Sequence, residues 1–477
     1  MRRSSLPPRR HARTSAHLHV EPLEARTLLA TFTVTGTGDS IAADGILTLR
    51  EAITGANADA SATAAAPHRI EFNIPGTGAR TINAFRLPAL TRPVIIDGYT
   101  QPGARANTLA IGGDAVLLVE LSGGGGNGDG LTIQGGDSTI RGLVINRFDT
   151  GIVVTSDRNL IAGNFVGTDP AGVTDSGNVL IGVHIFSGAG NVVGGESAAV
   201  RNVVSGNDFS NIRVGNGPNF TPFPSGTIIQ GNYVGTTASG TGRVDLRVPP
   251  QGGADGIYLA SGDGTVIGGT TALARNVIAG NFNGISIQNY DTNLTIQGNY
   301  IGVDATGSVA LGNLTVGIRG TGGGGQTANN YTIGGATAGA GNVISGNGEE
   351  GISLSVRNLV IQGNFVGTNA AGTAAIGNGS TGVRVTAPRA RPVRAASSAP
   401  LSDARSPCRS AWTARTSSRS HWTADDDGLA LPWFGTIFMN PPNGRGLAAW
   451  IEKAREEVRS GDAKMVVALL PARPDTN

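Results

Sequence analysis

One seven-residue phrase returns four times along the chain: GNFVGTD at 163–169, GNYVGTT at 231–237, GNYIGVD at 298–304 and GNFVGTN at 363–369. The spacings are 68, 67 and 65 residues. Between the copies lie RNVVSGN (201–207), RNVIAGN (275–281) and GNVISGN (341–347), each preceded by a Val/Ile-Gly-Gly step. Self-similarity at a fixed period marks a stack of structural units, and it has to be settled before any single motif is interpreted.

The units are built from strands. Short apolar runs follow glycine throughout: GIVV at 151, GVHI at 182, GIYL at 256, GISI at 284 and GISL at 351. Apolar residues alternate with period two for three or four positions and then break at Gly or Asn, which excludes helices. Short strands joined by tight corners and repeated in this way form a right-handed parallel β-helix, assigned to residues 31–386. One coil cannot bury its own inner face, but stacking on its neighbours closes a continuous core. Gly and Asn both tolerate the positive φ that sharp corners need. Asn164, Asn232, Asn299 and Asn364 occupy one set of equivalent corners and Asn207, Asn281 and Asn347 a second. Stacked asparagines of this kind are expected to hydrogen-bond along the axis as ladders.

Composition agrees. Glycine contributes 74 of 477 residues without collagen-like triplets, and 39% hydrophobic residues are too many for a disordered chain. Only 15% of residues are charged, against about 25% in ordinary domains. A net charge of +2 argues neither for nor against a polyanionic partner, and the single cysteine, Cys408, excludes a disulfide framework. No apolar run is long enough for a membrane span. The only lysines, Lys453 and Lys464, fall near the C-terminal end, which suggests a separate origin for that segment.

The first thirty residues carry Arg2, Arg3, Arg9, Arg10 and Arg13 but no apolar stretch of the signal-peptide kind. VEPLEARTLLA (20–30) resembles the LEPR-XLL signature of large exported or surface bacterial proteins, through Glu21, Pro22, Leu23, Glu24, Arg26, Leu28, Leu29 and Ala30. Export is what that resemblance implies. DGILTLREAITGANA (44–58) resembles the CSLREA motif that precedes bacterial β-helices, with Leu47 and Thr48 in place of the motif's cysteine and serine. LPALTRPVIIDGYTQPG (87–103) continues the likeness, with Asp97-Gly98 as a turn after Val94–Ile96. The region as a whole is similar to the parallel β-helix repeat superfamily.

Many β-helices act on polysaccharides, a chemistry that needs particular groups in the coil. A pectate-type lyase needs clustered carboxylates for calcium beside a proton-abstracting base. The acids here are scattered: Asp97, Asp149, Asp157, Asp169, Asp255 and Asp304. Asp169 and Asp304 are equivalent, yet Thr237 and Asn369 replace them in the other copies, as a turn tolerates and a metal ligand does not. His184 reads as an ordinary face residue. Glycoside hydrolysis needs two facing carboxyls, and Glu349-Glu350 are neighbours on a turn pointing apart. A structural, adhesive or glycan-contacting surface module is therefore the stronger reading of the coil, ahead of a polysaccharide lyase or hydrolase.

After GVRVT (382–386) the repeat stops without a closing coil. Residues 387–420, rich in Arg, Ala, Ser and Pro, read as a disordered junction, such as a gene fusion or a reading-frame slip would leave. Order is expected again over 421–477. GTIFM is a strand, LAAWIEKAREEVRSG (447–461) an amphipathic helix with Gly461 as C-cap, and KMVVALLPAR (464–473) a buried strand. Together they form a βαβ unit whose NPPN turn, 440–443, sits at the carboxyl end of the first strand, where such sheets bind ligands.

DGLALPWFGTIFMNPPNGRGLAAWIEKA followed by MVVALLPARPDT is similar to the phage-type DNA N6-adenine methyltransferase family, over about an eighth of the chain. That resemblance implies a partial Rossmann-like methyltransferase segment, S-adenosylmethionine as cofactor and DNA as partner. Asn440 and the Pro441 carbonyl would accept hydrogen bonds from the amino group of a flipped adenine. Pro442 and Asn443 would complete the catalytic turn. Trp433 and Phe438 would line the pocket, with core packing the stronger role for Phe438. Two departures weaken this reading. Asn443 stands where the family has an aromatic that stacks on the base, and the cofactor-binding strand upstream is replaced by the junction. The leading functional expectation is nonetheless site-specific adenine-N6 methyl transfer by this incomplete segment, because only these residues spell out a specific chemistry. The alternative is a non-enzymatic exported β-helix protein that contacts a cell-surface glycan or protein. Cytoplasmic DNA chemistry and export conflict within one chain.

Overall fold

The computed structural model describes residues 30–386, apart from 127, 245–253, 289, 321–328 and 357. It also describes the strands Gly435–Met439 and Ala463–Ala468 and helical residues between 452 and 459. The expected coil is present. Three long sheets of 11, 10 and 9 strands run the length of the described rod, and every neighbouring pair within them is parallel. Each turn of the chain lays one short strand on each sheet. The 65–68-residue sequence period therefore covers two coils, with strands such as Leu160–Ala162, Val192–Gly194 and Ile228–Gln230 in successive positions of the first sheet.

Strict register explains why the short apolar triplets suffice. In the first sheet Ile140, Ile161, Val193, Ile229, Ile267, Ile296, Ile333 and Ile361 pair in succession and form one inward column. In the third sheet Ile152, Val183, Ile212, Ile257, Ile285, Ile318 and Ile352 form another. Nearly all of these side chains are fully buried, each worth about 1.5–3 kcal/mol relative to exposure. β-branched residues suit a column because their stiff side chains repeat the same packing from coil to coil.

The asparagine ladders exist and are denser than the sequence suggested. In one, each side-chain amide donates to the next carbonyl oxygen through Asn164, Asn202, Asn232, Asn276, Asn299, Asn342 and Asn364, at 2.8–3.2 Å. The second runs through Asn178, Asn207, Asn211, Asn281, Asn313, Asn347 and Asn378. Many of these amides also donate to a main-chain carbonyl one coil back, as Asn232 does to Val193 and Asn276 to Ile229. Buried polar groups satisfied in this manner lock the register of the stack. The division of labour in the Gly-Asn corners is sharper than expected. Gly163, Gly231, Gly298 and Gly363 take the left-handed backbone, with φ of 67–70°, and the asparagine serves the ladder.

The helix Leu49–Ala58 lies within the CSLREA-like stretch. Thr48 and Glu51 form a reciprocal capping box, and Leu49, Ala52, Ile53 and Ala56 are buried. The helix packs on the first two strands, Thr31–Val34 and His68–Phe72, and covers that end of the core. At the other end, Phe365, Val366, Val383 and Val385 of the last coil are only half-buried.

In the C-terminal segment Gly435–Met439 and Ala463–Ala468 pair in parallel, with helical residues between them, as a βαβ unit requires. Glu452, Arg455, Glu456 and Arg459 are exposed. Residues 1–29 and the 387–420 junction lie outside the described residues. Among the described residues no helix is long and apolar enough to cross a membrane.

Candidate functional site

The acids singled out in the coil serve, with one exception, to build it. Asp169 Oδ1 accepts from the Val173 and Thr174 amides, and Asp304 Oδ1 from Ser308 and Val309. Asn369 does the same with Thr373 and Ala374, so these are turn positions, as their interchange indicated. Asp97 pairs with Arg69 and Arg141, Asp149 holds the Gly128 amide, and Asp157 the Ala189 amide. Glu350 is buried against Arg384 at 3.0 Å while Glu349 is exposed, so the two do point apart. Among the described residues no group of three or more His, Cys, Asp and Glu side chains could hold one metal ion.

The exception is Asp255, and the outer face of the third sheet explains it. The outward position there is occupied, coil by coil, by Val153, His184, Arg213, Tyr258, Ser286, Arg319, Ser353 and Arg384, all in register. Neighbouring strands lie about 4.8 Å apart, so the row is a ladder of side chains at that spacing. At its centre is a cleft of about 200 Å³ lined by Asp255, Tyr258, Asn283, Ser286, Gln288 and Arg319.

Each wall of the cleft is fixed by chemistry visible in the structure. Asn283 Nδ2 donates to Asp255 Oδ1 at 2.8 Å, and Thr315 Oγ1 donates to Asn283 Oδ1 at 2.6 Å. Burial raises the Asp255 carboxyl above the usual range, opposed by the hydrogen bond from Asn283 and by the Arg319 charge. The Gln288 amide donates to the Tyr258 hydroxyl. Burial also raises the Tyr258 phenol, against the pull of Arg213. The Arg213 guanidinium sits 5.3 Å from the Tyr258 ring centre and 5.7 Å from that of Phe209, and the two rings meet edge to face. Arg213 is anchored by the Gly215 carbonyl and Asn216. Arg319, by contrast, is exposed and has no hydrogen-bond or ion-pair partner among the described residues. The cleft thus offers an aromatic edge, amide and carboxyl groups for hydroxyls, and an exposed guanidinium suited to an anionic group.

His184 lies two coils from Tyr258 and is held as a structural residue. Its Nε2 is 3.1 Å from the Gly215 carbonyl and its ring contacts Phe186. Burial lowers its pKa to about 4, so it is neutral near pH 7. Of the C-terminal candidates, Trp433, Asn440, Pro441, Pro442 and Asn443 lie outside the described residues, and Phe438 falls within the strand Gly435–Met439.

No family model matches the chain, and neither does any curated protein. Among solved structures it is similar to pectate lyase Pel9A, at 15% identity and a TM-score of 0.33, over 76% of this chain and 78% of that one. It is similar to the alginate lyase of Paenibacillus sp. str. FPU-7, at 14% and 0.35, over 74% and 99%. A third likeness is to the A-module of the Azotobacter vinelandii mannuronan C-5 epimerase AlgE6, at 12% and 0.29, over 72% and 95%.

The leading expectation, adenine-N6 methyl transfer to DNA from S-adenosylmethionine, is overturned. The structures that the chain resembles are two lyases and an epimerase, and no family model brings in a methyltransferase. The physical reason is the generality of the signal. A strand–helix–strand unit supports many chemistries, and a short motif gains meaning only beside a cofactor-binding half of the sheet.

Proposed function

We propose that the chain is an exported glycan-contacting β-helix protein whose contact surface is the outer face of the third sheet around Tyr258. The carrying observation is the juxtaposition in one open cleft of the Tyr258 ring, the Asp255 carboxyl and the exposed Arg319 guanidinium. Sugar rings present apolar faces that aromatic side chains cover, and hydroxyls that fixed carboxyl and amide groups bind. The row repeats at about 4.8 Å, so an extended chain laid along the axis meets a new side chain at each coil. The LEPR-XLL-like segment supports export.

Purified chain is expected to be retarded in affinity electrophoresis through an acidic polysaccharide gel, and Tyr258→Ala and Arg319→Ala to run free. Equal mobility of all three proteins in acidic and neutral polysaccharides would sink the reading. A lyase activity is the second reading, favoured by the raised Asp255 carboxyl beside Tyr258 and Arg319. Its mark would be unsaturated uronide ends released from the same polymers and lost in Asp255→Asn.

A further inference from the structure

The two ends of the rod are finished differently. At the start, the helix Leu49–Ala58 packs on the first two strands and buries Leu49, Ala52, Ile53 and Ala56 over the core. At the far end, three strands are the outermost of their sheets: Leu359–Gln362 in the first, Phe365–Val366 in the second and Val383–Val385 in the third. Among the described residues each is paired on one side only, with the coil before it. The columns register the change. Ile361 is 7% exposed where Ile333, one coil back, is fully buried, and Phe365, Val366, Val383 and Val385 are half-buried. A stack of coils needs a terminal unit over its last core layer, and an unpaired strand edge is a template for other chains.

The C-terminal segment has the converse deficiency. Among the described residues Gly435–Met439 and Ala463–Ala468 form a sheet of two strands, and two strands by themselves are marginal. Their sequences, GTIFM and AKMVVA, are apolar in the continuous manner of strands covered on both faces. The fold sets the two incomplete surfaces together. Ala463–Ala468 lies against Leu359–Gln362, with Cα atoms within 8 Å of one another. Sheets stacked face to face sit about 10 Å apart, so this approach, concentrated on the outermost strand of the first sheet, is made at its edge and not on its broad face. The strands belong to separate sheets, so the contact is packing without a shared ladder.

We propose that the C-terminal strand–helix–strand segment is the end cap of the coil, with Ala463–Ala468 docked on the open edge of Leu359–Gln362. The occupant of that edge is then this chain's own apolar strand, and the residues that spell a fragment of an enzyme do for the last coil what the helix Leu49–Ala58 does for the first. The inference is independent of the glycan reading, since the cleft is built by earlier coils on the third sheet.

The full chain tests this in two ways. In a Cys408→Ser background, Met465→Cys is alkylated with a benzophenone and irradiated in an equal mixture of unlabelled and heavy-isotope-labelled chains. Cross-links are expected to peptides containing 359–362, with both arms carrying the same isotope. Cross-links between unlike isotopes would assign the edge to a second copy and overturn the proposal, as would cross-links that miss the last coil. Separately, a charge placed in the docking strand, Val467→Asp, should speed amide hydrogen exchange over 359–366 and 383–385 at least tenfold. Amides of earlier coils, such as those of Val193, Ile229 and Ile267, should keep wild-type protection, which shows that the rod itself is folded. Unaltered exchange at the last coil of this variant would also overturn the proposal.

Discussion

Inside the coil and on the outer face of its third sheet, the same stacked strands follow opposite rules. Inward, each coil repeats its neighbour: isoleucine or valine in the columns and asparagine in the ladders. Outward, the row changes at almost every step, from His184 to Arg213, Tyr258, Ser286 and Arg319. The difference shows which contacts are self-referential. An inward residue touches its own equivalent one coil away, so identity is the solution to the packing problem. An outward residue faces solvent or a ligand, and only that outside partner constrains it.

The largest effect expected from breaking this contrast is inside. Asn276→Ala removes the acceptor of the Asn232 amide and the donor to Asn299 and to the Ile229 carbonyl. Leaving these groups buried and unbonded, with a cavity, is expected to cost about 4 kcal/mol in urea unfolding. A loss below about 1 kcal/mol would show that the ladder does not set the register.

Next comes His184, an outward residue with an inward environment. Its folded pKa of about 4 lies below the ordinary 6.5, so the unfolded chain binds the proton first. The stability this group contributes is full above the unfolded pKa and is lost as pH falls towards 4. Acidification from pH 7 to 4.5 should cost about 2 kcal/mol through this residue. His184→Gln should lose that component of the pH dependence, and an unaltered profile would place the acid sensitivity elsewhere.

The turn positions are milder. Asp169→Asn reproduces the Asn369 turn and should change stability by less than about 0.5 kcal/mol, whereas Asp169→Ala frees two amides and should cost about 1 kcal/mol. Thermal melts of the pair separate the two. The smallest effect on folding belongs to the outer row. Arg319→Ala removes an exposed side chain with no hydrogen bond or ion pair among the described residues and should leave the melting temperature unchanged, while still abolishing polysaccharide retardation. A substantial drop in stability would move Arg319 from the contact surface into the fold.

Much of this was legible in the amino-acid order, and the boundary is physical. The glycine-led triplets and returning Gly-Asn corners are local patterns, and one pattern repeated is enough to imply a stack. Asn202, Asn276 and Asn342 recur in the RNVVSGN, RNVIAGN and GNVISGN phrases, but only the structure shows that they alternate with Asn164, Asn232, Asn299 and Asn364 in a single ladder. The cleft was hidden more deeply. Asp255 looked like one scattered acid among several, since Tyr258, Asn283, Ser286 and Arg319 come from three coils and share no repeating motif. Only the count of outward positions from each GIxx triplet could have signalled it. The NPPN motif at 440–443 shows the limit of a specific-looking local signal: a short phrase alone did not establish a methyl-transfer function.

By itself the sequence determined the coil, since alternation, corner glycines and stacked amides are properties of neighbouring residues and of like meeting like. The tertiary structure alone decided which unlike residues meet, such as the arginine, tyrosine and aspartate of the outer cleft. Such meetings depend on the number of residues in each intervening loop, a quantity that no local preference encodes.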